Sequence, residues 1–191
     1  MSWVEWPPGS RPSLASRLLL AVLGRSARAS ESVRLWARSP RAFLWFQGLY
    51  RAVDRPGSPL EPSLRSLVML RVSQVNGCAS CVDRNATHAA RRGATGPKIA
   101  ALEHHATSPL FDAREKAALA FADAVTRPGA GVGPDVRSAL RSTFSPDDIV
   151  ELTALVAFQD MSSKFNAALD ATPDGACSLS GNPTGSGGED R

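Results

Sequence analysis

The sequence predicts an all-α protein, a bundle of six to eight helices joined by short connections. Three observations lead there. Apolar residues recur three and four apart through most of the chain, the spacing of one helix face. No stretch of useful length alternates with the period of two that a half-buried strand needs. Proline, glycine and small polar residues break the pattern at intervals that suit helix ends.

Each element follows from local chemistry. After a turn-rich start, "LASRLLLAVLGRSARA" groups Leu18, Leu19, Val22 and Leu23 on one side and arginines on the other. Such a helix can pack on its own domain or a neighbouring subunit, or lie on a membrane surface; packing is the expectation. Ser39 and Pro40 open a helix over 39–53, and "DRPGSP" closes it. A helix restarts near Pro62 with Leu64, Leu67, Val68, Val72 and Val75 on one stripe. Asn76-Gly77 stops it, because that pair readily takes the left-handed conformation. A helix over roughly 78–92 ends at Gly93, and a shorter one covers 95–106. Asp112 and Glu115 stand at capping-box spacing before the helix of 111–126. A short helix spans 135–144, and Ser145-Pro146 opens 147–170, apolar on almost every face and expected to be central.

Composition narrows the function. The chain is 43 % hydrophobic and 21 % charged, an ordinary globular balance that excludes a disordered or fibrous class. Residues 1–60 carry nine arginines against three acids, whereas residues 61–191 carry 13 basic against 15 acidic residues. Positive charge is therefore confined to the first third, which argues against nucleic acid as the main partner. The apolar run "LLLAVLG" is too short to span a bilayer or serve as a signal peptide. Three cysteines, an odd number, do not form a secreted disulfide framework, so a cytoplasmic location is expected. The expected organisation is a basic extension over 1–38 with one amphipathic helix, a single helical redox domain over 39–176, and a flexible tail over 177–191.

The chemistry concentrates in "NGCASCVDRNATHAARRG" (76–93). On a helix, Cys78 and Cys81 lie one turn apart on the same face, close enough for a disulfide. Free N–H groups and the positive dipole end of the first turn stabilise a thiolate there. Such a pair can cycle between dithiol and disulfide, it can be packing, or it can be half a zinc site completed by His88, His104 or His105. A structural zinc site wants four ligands in two clusters, and the histidines here are irregularly spaced. No cofactor or metal is expected.

The surroundings of the pair carry a resemblance. "LRSLVMLRVSQVNGCASCVDRNATHAARRG" (64–93) resembles the redox motif of the carboxymuconolactone decarboxylase family, in its alkylhydroperoxidase D-like branch. "LFDAREKAALAFADAVTRPGAGV" (110–132) and "LRSTFSPDDIVELTALVAFQDMSSKFNAALD" (140–170) are similar to the helices that follow in that family. The resemblance covers about two-thirds of the chain in the family's order, with residues 1–38 and the tail outside it. It implies an all-helical fold that assembles as trimers or hexamers. It also implies a peroxidase whose cysteine pair reduces a hydroperoxide and is re-reduced by a dithiol partner, a lipoyl protein or a thioredoxin. By the same resemblance Cys81 attacks the peroxide and Cys78 resolves; helix position alone would favour Cys78 as the thiolate.

The sequence departs from the family at the proton-relay positions. Where the peroxidases carry Glu twelve residues before the first cysteine, this chain has Ser66; where they carry His four after the second, it has Asn85; and Ser80 stands where a third histidine is frequent. Serine and asparagine hydrogen-bond but exchange no proton near neutral pH. His88 lies two turns beyond Cys81 on the same face, about 10 Å along the axis, within reach through Asn85 or water. The candidate catalytic residues are thus Cys78, Cys81, Asn85, His88 and Ser66. Asp83 and Arg84 are expected at the surface or at subunit contacts, His104-His105 at a solvated helix end, Gln159 as a satisfied core amide, and Cys177 as incidental. A non-catalytic redox sensor and a small-molecule-binding protein are the alternatives to an enzyme.

Overall fold

A computed structural model describes residues 2–4, 13–22, 30–129 and 131–175 of the chain. Nine α-helices lie among them: α1 (Leu14–Val22), α2 (Glu31–Ala37), α3 (Pro40–Val53), α4 (Pro62–Val75), α5 (Ala79–Arg91), α6 (Gly96–Ala100), α7 (Ala113–Thr126), α8 (Pro134–Thr143) and α9 (Pro146–Ala168). One 3-10 turn, Leu102–His104, follows α6. No strand occurs among the described residues, so the all-α class holds. The count passes the expected six to eight because α2 and α6 are short pieces of seven and five residues. Cys177 and the tail lie outside the described residues.

The helix ends follow the local chemistry. Proline occupies the first turn of α3, α4, α6, α8 and α9, where its missing N–H costs nothing. Reciprocal capping boxes start α7 (Asp112 with Glu115) and α9 (Ser145 with Asp148). Gly77 has φ +63°, and the Cys78 N–H reaches back to the Ser73 carbonyl at 3.1 Å, closing α4 in a glycine-dependent turn.

The centre of the bundle is α4 rather than α9. All ten residues from Leu64 to Ser73 are buried, and α5, α7 and α9 pack around the helix. The helix 147–170 instead flanks α4 and leaves Val150 and Met161 open to solvent. The stripe expected on α4 is therefore enclosed on every side. Its arginines are buried against acids from other elements. Arg65 Nε donates to Asp54 Oδ1 at 2.8 Å, and Arg71 donates to both Asp123 oxygens at 2.6 and 2.9 Å. His105 is also buried, with Nε2 3.5 Å from Asp123, rather than lying at a solvated end.

At the other side, α1 packs on α2 and α3, where Ser16 Oγ donates to the Ala37 carbonyl at 2.7 Å. Its apolar stripe faces away: Leu14, Leu18 and Val22 are exposed, as are Leu44, Trp45 and Leu49 of α3. Trp36 of α2 lies between Phe165 of α9 and Phe46 of α3, with ring centroids 3.7 and 4.3 Å away.

Asp54 is the most constrained charge in this frame. Besides Arg65 it accepts from Arg92 at 2.9 and 2.8 Å, and its side chain is only 3 % exposed. Burial pushes its carboxyl up, but the hydrogen bonds from Arg92 and Arg65 outweigh burial and hold it below the usual aspartate range. Its stabilisation is therefore full above the ordinary aspartate pKa and is lost as pH falls through the depressed native value. Asp54→Asn should destabilise the fold by about 3–5 kcal/mol at pH 7 by leaving two guanidinium groups without their anion. Urea unfolding across the acid range should show that deficit shrinking as the wild type loses the same carboxylate.

Candidate active site

Cys78 is the N-cap of α5, with extended backbone, and its Sγ accepts the Cys81 N–H at 3.3 Å. The two sulfurs are joined as a disulfide, with Cα atoms 5.3 Å apart. Both residues are buried, Cys78 to 1 % and Cys81 to 5 % exposure. Ser80 Oγ lies 3.5 Å from Cys78 Sγ. The pair thus sits at the positive end of α5, as its position in sequence requires.

A cavity of about 210 Å³ opens on Cys81. Its apolar wall is Phe46, Tyr50 and Phe158, and Asn85, His88 and Asn166 are among its polar lining. The structure therefore gathers Cys81, Asn85 and His88 at one cavity. Asn85 does not bridge the other two: its Nδ2 donates to Ser73 Oγ at 2.9 Å and to the Met69 carbonyl at 3.4 Å. Ser66 is not among the lining residues. Its hydroxyl donates to the Pro62 carbonyl at 3.1 Å and accepts from Arg92 at 3.0 Å, so it belongs to the Asp54 cluster.

The residue in hydrogen-bond contact with Cys81 is Asn166, near the end of α9. Its Nδ2 donates to Cys81 Sγ at 3.3 Å, while its Oδ1 accepts from Ser32 Oγ of α2 at 2.8 Å. With Oδ1 engaged by the Ser32 hydroxyl, the N–H of the amide is the group that faces sulfur. Asn166 lies 85 residues beyond Cys81 in the chain, and no spacing rule links them. Gln159 is both a satisfied core amide and part of the cavity: it donates to Ser73 Oγ at 3.1 Å and Ser163 Oγ at 2.9 Å.

Of the two residues expected at the surface or at subunit contacts, Asp83 is enclosed and Arg84 is partly exposed. Arg84 lines the cavity while donating to Ser30 Oγ at 2.9 Å. Tight packing of α5 between α4 and α9 leaves little of its circumference to solvent.

Electrostatics set the protonation states. Burial, then the charges of Arg92 and Arg84, lower the pKa of His88, which is consequently neutral at pH 7. Burial and the Asp54 carboxylate push the Tyr50 phenol up to about 12, so it stays a neutral donor. The cavity thus offers a neutral imidazole and a guanidinium within one volume. Among the described residues no group of three or more His, Cys, Asp or Glu comes together that could hold a metal ion. No helix among them is long and apolar enough to cross a membrane.

The family model described as the carboxymuconolactone decarboxylase family matches residues 40–124. The uncharacterized protein YnjA of Escherichia coli (strain K12) is 34 % identical over 147 residues, 77 % of this chain and 81 % of that protein. Among solved structures, an Agrobacterium tumefaciens protein of unknown function, provisionally assigned to antioxidant defence as AhpD, superposes with a TM-score of 0.67 at 29 % identity, covering 71 % of this chain and 92 % of that one. The debrominase Bmp8 superposes with a TM-score of 0.72 at 22 % identity, covering 84 % and 90 %, and shares the fold.

Asn166 is the residue to test first. Asn166→Asp puts a carboxylate where the amide N–H now meets Cys81 and should raise the thiol pKa of Cys81 by about a unit or more, while Asn166→Ala should raise it less. The pH dependence of iodoacetamide alkylation of Cys81 in the Cys78→Ser background measures it.

Proposed function

The chain belongs to the carboxymuconolactone decarboxylase family, in its alkylhydroperoxidase D-like branch, and we propose that it is a thiol-dependent peroxidase that reduces organic hydroperoxides. One observation carries this reading: the cysteine that opens on the cavity, Cys81, has a fixed amide donor on its sulfur and its resolving partner already within bonding distance.

In the proposed cycle the Cys81 thiolate attacks the outer oxygen of the hydroperoxide. The O–O bond breaks, Cys81 becomes a sulfenic acid, and the alkoxide leaves with a proton as the alcohol. The Cys78 thiol then attacks the sulfenic sulfur, forming the disulfide and releasing water. A dithiol donor, a lipoyl protein or a thioredoxin-like protein, restores the pair in a reducing cytoplasm.

Each lining group has a task in this reading. Asn166 stabilises the thiolate, Asn85 and Gln159 hold the cavity floor through Ser73, and the aromatic wall receives an apolar alkyl group. Neutral His88 takes the proton from the Cys81 thiol through water and returns it to the alkoxide, in place of the relay that Ser66 and Asn85 do not supply. Ser66 acts at one remove, by helping to hold Arg92.

Fully reduced protein given one equivalent of cumene hydroperoxide should form the Cys78–Cys81 disulfide at least about a hundredfold faster than Cys177 oxidises, read by mass spectrometry over time. His88→Gln should slow that step by about 10²-fold. Equal, slow oxidation of all three cysteines removes the catalytic reading in favour of a redox sensor or a binding protein. An unchanged rate in His88→Gln removes only the relay.

We also propose a homo-oligomer, a trimer or hexamer, closed through the exposed apolar residues of α1 and α3. Leu18→Glu combined with Trp45→Glu should reduce the native mass by light scattering to that of the monomer. An unchanged mass would place the interface elsewhere.

A further inference from the structure

The two halves of the disulfide line different cavities. Cys81 lines the cavity already described; Cys78 does not. Cys78 instead lines a separate groove of about 250 Å³ between the α4–α5 turn and the segment after α9, with Gly77, Ala79, Ala167 and Thr172 around it. Asn166 borders both spaces and stands between them. The groove continues past Ala79 and Pro173 into a trough of about 490 Å³ whose walls include Leu70, Val82 and Ile99. None of these residues is among the exposed apolar positions of α1 and α3.

We infer that electrons enter at this second cavity: a slender dithiol, free or borne on a flexible arm, reaches Cys78 through the groove while hydroperoxide meets Cys81 in the cavity. The inference rests on the thiol–disulfide reading above and adds the route of reduction to it. Exchange requires an incoming thiolate to approach the attacked sulfur from behind, with the other sulfur as leaving group. From the groove the attacked sulfur is that of Cys78. The donor's thiolate bonds to it, the Cys78–Cys81 bond breaks, and Cys81 leaves as the thiolate that receives the Asn166 N–H. The donor's second thiol then displaces Cys78 from the mixed disulfide, releasing an oxidised donor and the reduced pair. At 1 % exposure Cys78 offers no flat surface for a protein active site, so the donor's sulfur must extend on a narrow chain. The trough, mainly apolar but with Gln74, Asp83 and Glu103 also in its walls, gives such a chain a path, and the leaving sulfur is returned to the cavity in the form the next hydroperoxide consumes.

The test separates the two entrances. Ala167→Trp fills the groove from α9, and Ala79→Trp fills it from α5; Gln47→Trp fills the cavity instead. Protein oxidised with diamide is mixed with dithiothreitol, and reduction is followed by stopped-flow; reduced protein is mixed with cumene hydroperoxide in parallel. Both groove variants should slow reduction by at least about tenfold and leave oxidation unchanged, and Gln47→Trp should do the reverse. Redox potentials of the variants, measured against glutathione, separate blocked access from altered driving force. The inference is overturned if Gln47→Trp slows reduction as much as the groove variants do. It is equally overturned if both groove variants reduce at the wild-type rate. Because diamide loads the disulfide, a failure of hydroperoxide to oxidise the pair would count against the peroxidase reading and leave the reduction result standing.

Discussion

The site is organised around one hydroxyl group. Ser73 Oγ, fully buried in α4, donates to the Met69 carbonyl of its own helix at 2.7 Å. Its lone pairs then accept Asn85 of α5 at 2.9 Å and Gln159 of α9 at 3.1 Å. Three helices therefore meet at an atom whose hydrogen-bonding capacity is fully used. In a low-dielectric interior each of these bonds is costly to break, since an orphaned amide forfeits about 1–3 kcal/mol of solvation. The mutual positions of α4, α5 and α9 follow, and with them the floor of the cavity beneath Cys81.

Around this point the molecule keeps two kinds of polar cluster apart. One is neutral: Ser73, Asn85, Gln159, Ser163, Asn166 and Ser32, lying beside and below the cysteines. The other is ionic: Asp54 with Arg65 and Arg92, and Ser66 beside them. Tyr50 and His88 feel the ionic cluster and line the cavity, so they link the two electrostatically. A carboxylate beside Cys81 would raise the cost of a thiolate there. Amides and hydroxyls offer donors to sulfur without that penalty, which makes the neutral cluster the suitable neighbour for a nucleophile.

How much of this was legible in the sequence differs by the range of the interaction. Helix boundaries are local, and proline at first turns, Asp112 with Glu115, and Gly77 all mark them within four residues. Asn85 and His88 reach the cavity because helical periodicity from Cys81 is local too. The enclosure of α4 was not legible, since only the fold brings Asp54 and Asp123 to Arg65 and Arg71. Ser66 illustrates the opposite error of a spacing rule: the position aligns with a relay residue, yet the short serine side chain turns to its own helix and to Arg92. Asn166 is separated from Cys81 by 85 residues and from Ser32 by 134, and only tertiary packing joins them.

Cys78 serves two purposes with one atom. Its sulfur is half of the disulfide and also the acceptor that caps α5. A cap on the sulfur of Cys78 strengthens at the positive end of the helix whenever that sulfur carries negative charge, as it does on leaving the mixed disulfide, whereas a cap on disulfide sulfur is a weak neutral one. The two oxidation states therefore differ in how tightly the first turn of α5 is held. By thermodynamic linkage, whatever tightens that turn shifts the reduction potential toward the dithiol, and reduction in turn tightens the helix start. In the proposed cycle folding and electron transfer are coupled at this sulfur, so the potential of the pair is written partly in the backbone of α5.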